Sequence, residues 1–244
     1  MNIPEEQHSP ARSVLLHLLP GALIGTCYFA LIPILHSLGY PSMMALMCAI
    51  PLILVPVELG WLLYEGKKKN GRYSLQGVVL YRNSITLWQY IIGIPLLFVA
   101  LGLIFTLMKP VDVFFREQVF AFLPALESGL EAGYARSVLI ATWTMAAVFG
   151  ALVGPTVEEL YFRGYLLPRM GYAGKWAPLL HSFLFGLYHI WTPWMFLTRT
   201  LGMLPLAYAV RWRNLNLAIL VHILVNMLDV FTAAAFIAAM SGTM

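Results

Sequence analysis

The chain is dominated by long apolar runs that few charged residues interrupt. Seven such runs cover Ser13–His36, Ser42–Tyr64, Ile85–Met108, Ser137–Arg163, Ala177–Leu197, Leu201–Val210 and Leu215–Met240. About 20 apolar residues in a helix cross the hydrocarbon core of a bilayer, and backbone groups in lipid must find their partners within a helix or a closed barrel. The runs therefore predict an all-α fold, a polytopic integral membrane helical bundle of about seven transmembrane helices.

The composition agrees with a membrane location. Hydrophobic residues make up 60% of the chain and charged residues 11%, against roughly 45–50% and 25% in soluble domains. Seven helices use about 140 residues, so we expect a single integral membrane domain over residues 1–244. The sixth run is the short one, since ten residues give about 15 Å of helix. It spans only if Thr198–Thr200 and Arg211 lie at the interfaces.

The basic residues at the ends of the runs predict an orientation. With the N-terminus inside, the inner side holds Arg12, Lys67, Lys68, Lys69, Arg72, Arg82, Arg169, Lys175, Arg211 and Arg213. The outer side holds Lys109, Arg116, Arg136 and Arg199. This excess predicts a cytoplasmic N-terminus and an outer C-terminus at Met244, in a cell membrane.

The same residues argue against other classes of partner. The net charge of +4 comes from basic residues beside apolar runs. These residues have no patch of aromatic and basic side chains around them, so nucleic-acid binding is not expected. The lipid bilayer is the expected surrounding. Cys27 and Cys48 lie inside apolar runs at different expected depths, so we expect neither a disulfide nor a cysteine metal site.

Ionisable side chains inside membrane spans are costly and therefore mark candidate functional sites. The fourth run ends with Glu158, Glu159 and Arg163, the fifth contains His189, and the last contains His222 and Asn226. At 1.5 Å of rise per residue, Glu158, His222 and His189 lie roughly 8, 11 and 18 Å from the inner side. These depths predict one shared cavity in the cytoplasmic half of the membrane.

Helical spacing suggests different tasks for these residues. Glu159 and Arg163 are spaced i,i+4 with the acid first, which favours an ion pair. Glu158 points about 100° away and is free to act as a general base. His222 and Asn226 share one helix face and could donate two hydrogen bonds to one oxygen, as an oxyanion hole requires.

The order E-E-x-x-x-R, F-x-x-x-H and H-x-x-x-N resembles the CAAX protease and bacteriocin-processing family of intramembrane endopeptidases, also called the Abi family. The resemblance covers residues 137–230. It implies that Glu158 and His189 activate a water, that His222 and Asn226 stabilise the oxyanion, and that Glu159 and Arg163 support the site without a metal or other cofactor. The expected substrate is a peptide or protein, membrane-associated substrates included, cleaved at a cavity open to the cytoplasmic leaflet.

Three alternatives stay open on the sequence. Glu158, His189 and His222 could instead be ligands of a catalytic zinc, with an open fourth position. The chain could also be a non-proteolytic scaffold or immunity-type protein that retains the motif, or a proton-coupled transporter. The sequence assigns no role to Glu58 or Asp229, although Asp229 follows His222 by seven residues on the same helix face.

Overall fold

The computed structural model describes residues 6–81, 84–131, 133–212 and 214–240. Within these ranges the chain forms seven main helices and no β-strand, which confirms the all-α fold class. The helices are α1 (Pro10–Ser37), α2 (Ser42–Asn70), α3 (Leu87–Val119), α4 (Arg136–Arg169), α5 (Ala177–Tyr188), α6 (Phe196–Trp212) and α7 (Leu215–Ala239).

Five of these helices, α1 to α4 and α7, are long and apolar enough to cross a membrane. The other two are shorter: α5 has 12 residues and α6 has 17. At 1.5 Å per residue they measure about 18 and 26 Å, less than the ~30 Å of a hydrocarbon core. They therefore form a pair of shorter helices beside the five long ones.

The predicted boundaries of the fifth and sixth spans are wrong. The fifth was expected to continue to Leu197, but α5 ends at Tyr188 and α6 begins at Phe196 rather than Leu201. Proline lacks a backbone N–H and disfavours the helical conformation in the residue before it. Thr192, which precedes Pro193, has φ −141° and ψ 61°. The apolar residues Trp191 and Trp194 hide this break in the hydropathy pattern.

The fourth span is longer than predicted. It was expected to end at Arg163, but α4 continues to Arg169. Glu158 therefore lies eleven residues from the C-terminal end of its helix (169 − 158), or about 16 Å rather than about 8 Å. Arg163 is fully buried, so the ion pair predicted near a helix end lies in the protein interior.

Three of the helices that carry acidic groups contain π-helical segments. These segments are Ile50–Leu59 in α2, Phe115–Val119 in α3, and Ala146–Val153 and Glu159–Leu166 in α4. π-helical turns change the direction of side chains along a helix and are frequent at functional sites. Glu58 and Glu159 both lie in such segments.

Among the long helices, α3 exposes the most apolar surface. Its side chains Leu96, Leu103 and Leu107 are largely exposed on the protein surface. Apolar surface of this extent on a helix long enough to span a bilayer is what a lipid-facing position requires. The remaining long helices bury much more of their surface, so α3 lies at the periphery of the bundle.

The orientation of the chain can be tested by cysteine labelling. We expect a cysteine at Lys68 to react from the cytoplasmic side and one at Thr243 from the outer side, in a background with Cys27→Ser and Cys48→Ser. Arg82, Arg213, Thr243 and Met244, on which part of this prediction depends, lie outside the described residues. Reaction of both positions from the same side would contradict it.

His8 makes folding stability depend on pH. Its ring is buried against Tyr165, with ring centroids 5.6 Å apart, and its backbone N–H donates to the Arg169 carbonyl. Burial, with a smaller effect of Arg12 and Arg169, lowers the pKa of His8 from 6.5 to about 4. Between these values the unfolded chain binds more protons, so the free energy of unfolding decreases as the pH falls from 6.5 towards 4.

Thermal unfolding in detergent across this pH range should show a loss of stability at lower pH, and His8→Leu should remove the part of this loss that comes from His8. An unchanged pH dependence in that variant would refute the prediction.

Candidate active site

The structure brings all four predicted catalytic residues to one cavity. Glu158, His189, His222 and Asn226 line a cavity of about 630 Å³ within the bundle. Its remaining wall is mostly apolar and includes side chains from α1, α2, α3 and α6. A largely apolar cavity with a few convergent polar groups is the usual form of a binding site.

His189 lies directly after the last residue of α5. Its Nδ1 lies 2.8 Å from the Phe185 carbonyl oxygen. Because a carbonyl only accepts, Nδ1 carries the proton, and Nε2 of the neutral ring has a free lone pair. This Nε2 lies 4.0 Å from Glu158 Oε1. His189 is therefore oriented as a proton acceptor towards Glu158.

His222, on α7, connects the two neighbouring glutamates of α4. Its Nδ1 lies 2.8 Å from Glu159 Oε1, and its Nε2 lies 3.9 Å from Glu158 Oε2. The Glu159 carboxylate accepts a hydrogen bond from the Nδ1–H group and so fixes the plane of the ring. Glu158 consequently has an imidazole nitrogen about 4 Å from each of its oxygens.

Glu159 and Arg163 form the ion pair that their spacing suggests. Both side chains are fully buried, and Arg163 Nη1 donates to Glu159 Oε1. The Arg163 guanidinium also lies over the Phe185 ring, 4.9 Å from its centroid. Arg163 thus balances the charge of the carboxylate that orients His222, while Phe185 links this pair to the helix that positions His189.

Asn226 has one donor in use and one available. Its Nδ2 donates to the Gly150 carbonyl over 3.0 Å, in the π-helical part of α4. A side-chain amide carries two N–H groups. The second N–H is available to a ligand in the cavity, one helical turn from His222.

Sequence reasoning assigned no role to Glu58, and the structure places it next to the site. Glu58 is fully buried on α2 and accepts a hydrogen bond from the Tyr188 hydroxyl over 2.8 Å. The same hydroxyl interacts with the Glu158 carboxyl. In the sequence, Glu58 is recognisable only as an acidic residue inside an otherwise apolar run. The fold is needed to show that Tyr188 connects it to Glu158.

Arg199 lies within a helix rather than between two spans. It was expected between the fifth and sixth spans, but it belongs to α6 and lines the same cavity as Glu158. α6 begins at Phe196, five residues before the Leu201 at which the apolar run starts, so Arg199 lies in its first turn. Asp229 lines the cavity as well, in a more exposed position.

The distances around Glu158 bear on the zinc alternative. Two ligands of a tetrahedral zinc with bonds of 2.0–2.2 Å lie roughly 3.3–3.5 Å apart, whereas the two imidazole nitrogens are 4.0 and 3.9 Å from Glu158. Among the residues that the structure describes, no group of three or more histidine, cysteine, aspartate or glutamate side chains is arranged to hold a metal ion.

One protein-family model matches the part of the chain that contains the candidate site. Residues 139–228 match the model of the Rce1-like family, described as type II CAAX prenyl endopeptidase Rce1-like. This segment contains all the motif residues and confirms the resemblance inferred from their order. These 90 of the 244 residues are thus similar to that family of endopeptidases. No curated protein and no solved structure matches the chain.

Proposed function

We propose that this protein is an intramembrane endopeptidase in which Glu158, assisted by His189, activates a water molecule. The observation that carries the proposal is the position of Glu158 between two imidazoles whose far nitrogens are already occupied. Phe185 holds His189 and Glu159 holds His222. The inner nitrogens of both rings are thereby directed at Glu158 in the wall of the cavity.

The gap between Glu158 and His189 fits a water. A separation of 4.0 Å is too long for a direct hydrogen bond, but a single water at about 2.8 Å from each atom can bridge it. Glu158 removes a proton from this water, and the oxygen attacks the scissile carbonyl carbon. The C–O bond forms, the tetrahedral intermediate collapses with cleavage of the C–N bond, and the leaving amine receives the proton from Glu158.

His222 and Asn226 would stabilise the negative charge of the intermediate. Since His222 Nδ1 donates to Glu159, Nε2 can donate to an oxyanion only when the ring carries both protons. The free N–H of Asn226 supplies the second donor.

The apolar wall of the cavity suggests the class of substrate. Phe98, Leu101 and Phe105 on the lipid-facing helix α3 contribute to it, so a peptide could enter from the bilayer with its apolar parts shielded from water. A hydrophobic or lipid-modified peptide end fits this surface, and the family description names prenylated CAAX ends. We propose that the cavity is reached from the cytoplasmic leaflet.

The proposal can be tested with purified protein in liposomes. A mixture of hydrophobic peptides is incubated in water enriched in ¹⁸O, and the products are identified by mass spectrometry. Hydrolysis should release defined fragments whose new carboxyl group carries ¹⁸O. If the pure protein cleaves no peptide while correctly folded, the peptidase proposal fails and the scaffold alternative is favoured.

The same assay distinguishes the two versions of the mechanism. Cleavage that relies on Glu158 and His189 alone should continue after chelation, in protein with much less than one zinc per chain. Stoichiometric zinc whose removal stops cleavage, and whose return restores it, would overturn the water activation proposed here. It would leave the peptidase assignment intact.

Asn226→Ala is expected to lower turnover by about 10²–10³-fold, the usual effect of removing one oxyanion donor. Substrate binding should change little, because the donor acts mainly on the charge that develops during the reaction. The matched control is Asn216→Ala, which changes an exposed asparagine on the same helix. A loss of binding with unchanged turnover would instead make Asn226 a substrate-positioning residue.

A further inference from the structure

Glu58 is an acidic side chain inside the bundle that has no cation beside it. It is fully buried on α2, and no arginine, lysine or histidine nitrogen lies within 4.0 Å of its carboxyl group in the described part of the chain. Its Oε2 has no hydrogen-bond partner among the described residues. An ionised carboxylate in this position is costly, whereas a neutral carboxyl leaves only a carbonyl oxygen unpaired. The surroundings of Glu58 therefore favour its protonated form.

The Tyr188 hydroxyl is the group that connects Glu58 to the candidate site. Its oxygen lies 2.8 Å from Glu58 Oε1, and it also makes a hydrogen-bonding interaction with the Glu158 carboxyl. Tyr161 also lies near Glu58, but its own hydroxyl donates to the Leu16 carbonyl. A hydroxyl carries a single proton. Tyr188 can therefore donate to only one of the two carboxyl groups at a time.

The direction of these hydrogen bonds decides whether Glu158 can act as a base. If Tyr188 donates to an ionised Glu58, only its oxygen lone pairs face Glu158, which must then carry a proton to pair with them. If Glu58 is protonated, its O–H donates to the Tyr188 oxygen, and the Tyr188 O–H donates to a Glu158 carboxylate. The O–O distance of 2.8 Å suits either direction. Only the second arrangement leaves Glu158 both ionised and hydrogen-bonded to Tyr188.

The charges around the two carboxyl groups favour the second arrangement. Glu158 has an imidazole nitrogen about 4 Å from each of its oxygens, and the cations Arg163 and Arg199 act on it at longer range. The negative charge of Glu158 in turn repels a charge on Glu58. Two carboxyl groups at one hydroxyl do not both ionise readily. The negative charge therefore lies on Glu158 and the proton on Glu58.

Tyr188 is held in the position that this arrangement needs. Its side chain is fully buried and packs against Phe162, with 4.7 Å between the ring centroids. Helix α1 approaches the end of α5 so closely that a Cβ atom at Gly21 would overlap the Tyr188 carbonyl oxygen. A hydroxyl on a side chain restrained in this way can fix the orientation of the carboxyl group that it contacts.

We infer that Glu58 is a neutral carboxyl group that holds Tyr188 as a hydrogen-bond donor to the Glu158 carboxylate. This inference rests on the proposed peptidase function and adds two positioning residues to it. Tyr188 restrains the Glu158 carboxylate beside the proposed water. Glu58 acts through Tyr188 and touches neither the water nor the substrate.

Infrared spectroscopy tests the protonation of Glu58 without any hydrolysis. The protein is measured at neutral pH in a detergent without ester groups, because ester carbonyl bands overlap those of carboxylic acids. We expect a C=O stretching band of a protonated carboxyl in the wild type. Glu58→Gln should remove this band, and Glu117→Gln, at an exposed glutamate, should keep it. A wild-type spectrum without a band that depends on Glu58 would overturn the inference.

The same spectra test the hydrogen bond from Glu58 to Tyr188. Tyr188→Phe should keep the band but move it to higher frequency, because the Glu58 O–H loses its acceptor. Glu158→Gln should also move the band, since the Glu158 carboxylate strengthens the neighbouring hydrogen bond by polarising the hydroxyl. A band at the same frequency in both variants would overturn the connection through Tyr188.

Cleavage assays test whether Glu58 acts on the reaction through Tyr188. Tyr188→Phe and Glu58→Leu should each lower kcat by about tenfold with little change in KM, the kinetic equivalent of one hydrogen bond. Glu58→Gln should restore most of the rate lost in Glu58→Leu, because its amide N–H can donate to the Tyr188 oxygen as the protonated acid does. The double variant Glu58→Leu/Tyr188→Phe should be no slower than Tyr188→Phe alone.

Each kinetic result has a distinct meaning. If Glu58→Gln were as slow as Glu58→Leu, the reaction would need the charge of Glu58, which overturns its assignment as a neutral acid. Additive losses in the double variant would overturn the action of Glu58 through Tyr188, and a wild-type kcat in Tyr188→Phe would overturn its positioning role. If the wild type cleaves no peptide, the proposed function fails, while the infrared band and its response to Tyr188→Phe still decide the protonation and the hydrogen bond of Glu58.

Discussion

Glu158→Gln should lower the rate of peptide hydrolysis by about 10²–10⁴-fold, the range that general acid–base groups supply. Glutamine keeps the shape of the side chain but has no carboxylate to accept a proton from water. The change also removes an acid from a buried position, so the folded protein should be at least as stable as the wild type. Loss of rate at unchanged thermal stability is the expected pattern.

The measurement compares rates in liposomes and peptide profiles of membranes from cells that carry either version. Glu117→Gln, a change at an exposed glutamate of α3, is the matched control and should behave as the wild type. A peptide that is present in cells with the wild-type protein but absent from cells with Glu158→Gln would be a product of cleavage in the cell. Wild-type rates in the variant would remove Glu158 from the proposed mechanism and leave His189 as the candidate base.

Arg163→Leu should destabilise the protein by about 3–5 kcal/mol, as expected when one partner of a buried ion pair is removed. Glu159 would then be a buried carboxylate without its cation, and it would no longer hold His222 in the same way. Arg163→Lys keeps the charge but has no planar fork and loses part of the contact with the Phe185 ring. We therefore expect it to fold with reduced activity and an intermediate melting temperature.

Thermal unfolding in detergent and cleavage in liposomes are measured together for this series. The control is Arg136→Lys, at the exposed start of the same helix. If Arg163→Lys had the stability and activity of the wild type, the interaction with Glu159 would not be important for either property. Reduced activity with normal stability would instead indicate a direct effect on the orientation of His222.

The sequence predicted the parts of the site that follow from periodicity within a single helix. The Glu159–Arg163 pair is of this kind, because four residues bring two side chains to the same face of a helix. The shared face of His222 and Asn226 follows in the same way. Apolar runs of about 20 residues likewise identified the long helices, since hydropathy is the main constraint on a chain in lipid.

Features that depend on contacts between helices could not be read from the sequence. Glu58 was ambiguous because its partner, Tyr188, is 130 residues away in the chain. The role of Gly150 as an acceptor for Asn226 depends on a π-helical segment, which has no clear signature in hydropathy. Arg199 was misplaced because aromatic residues kept the apolar pattern continuous across the turn before α6.

The arrangement of the buried charges also bears on how the protein is made. Glu159 and Arg163 lie one turn apart on α4, so this helix can enter the bilayer with an internal counterion as soon as it leaves the ribosome. His222 follows Glu159 by 63 residues and is supplied by the last helix. Nascent chains that stop short of α7 therefore lack His222 and Asn226, so the proposed mechanism requires that synthesis and insertion are nearly complete before any hydrolysis.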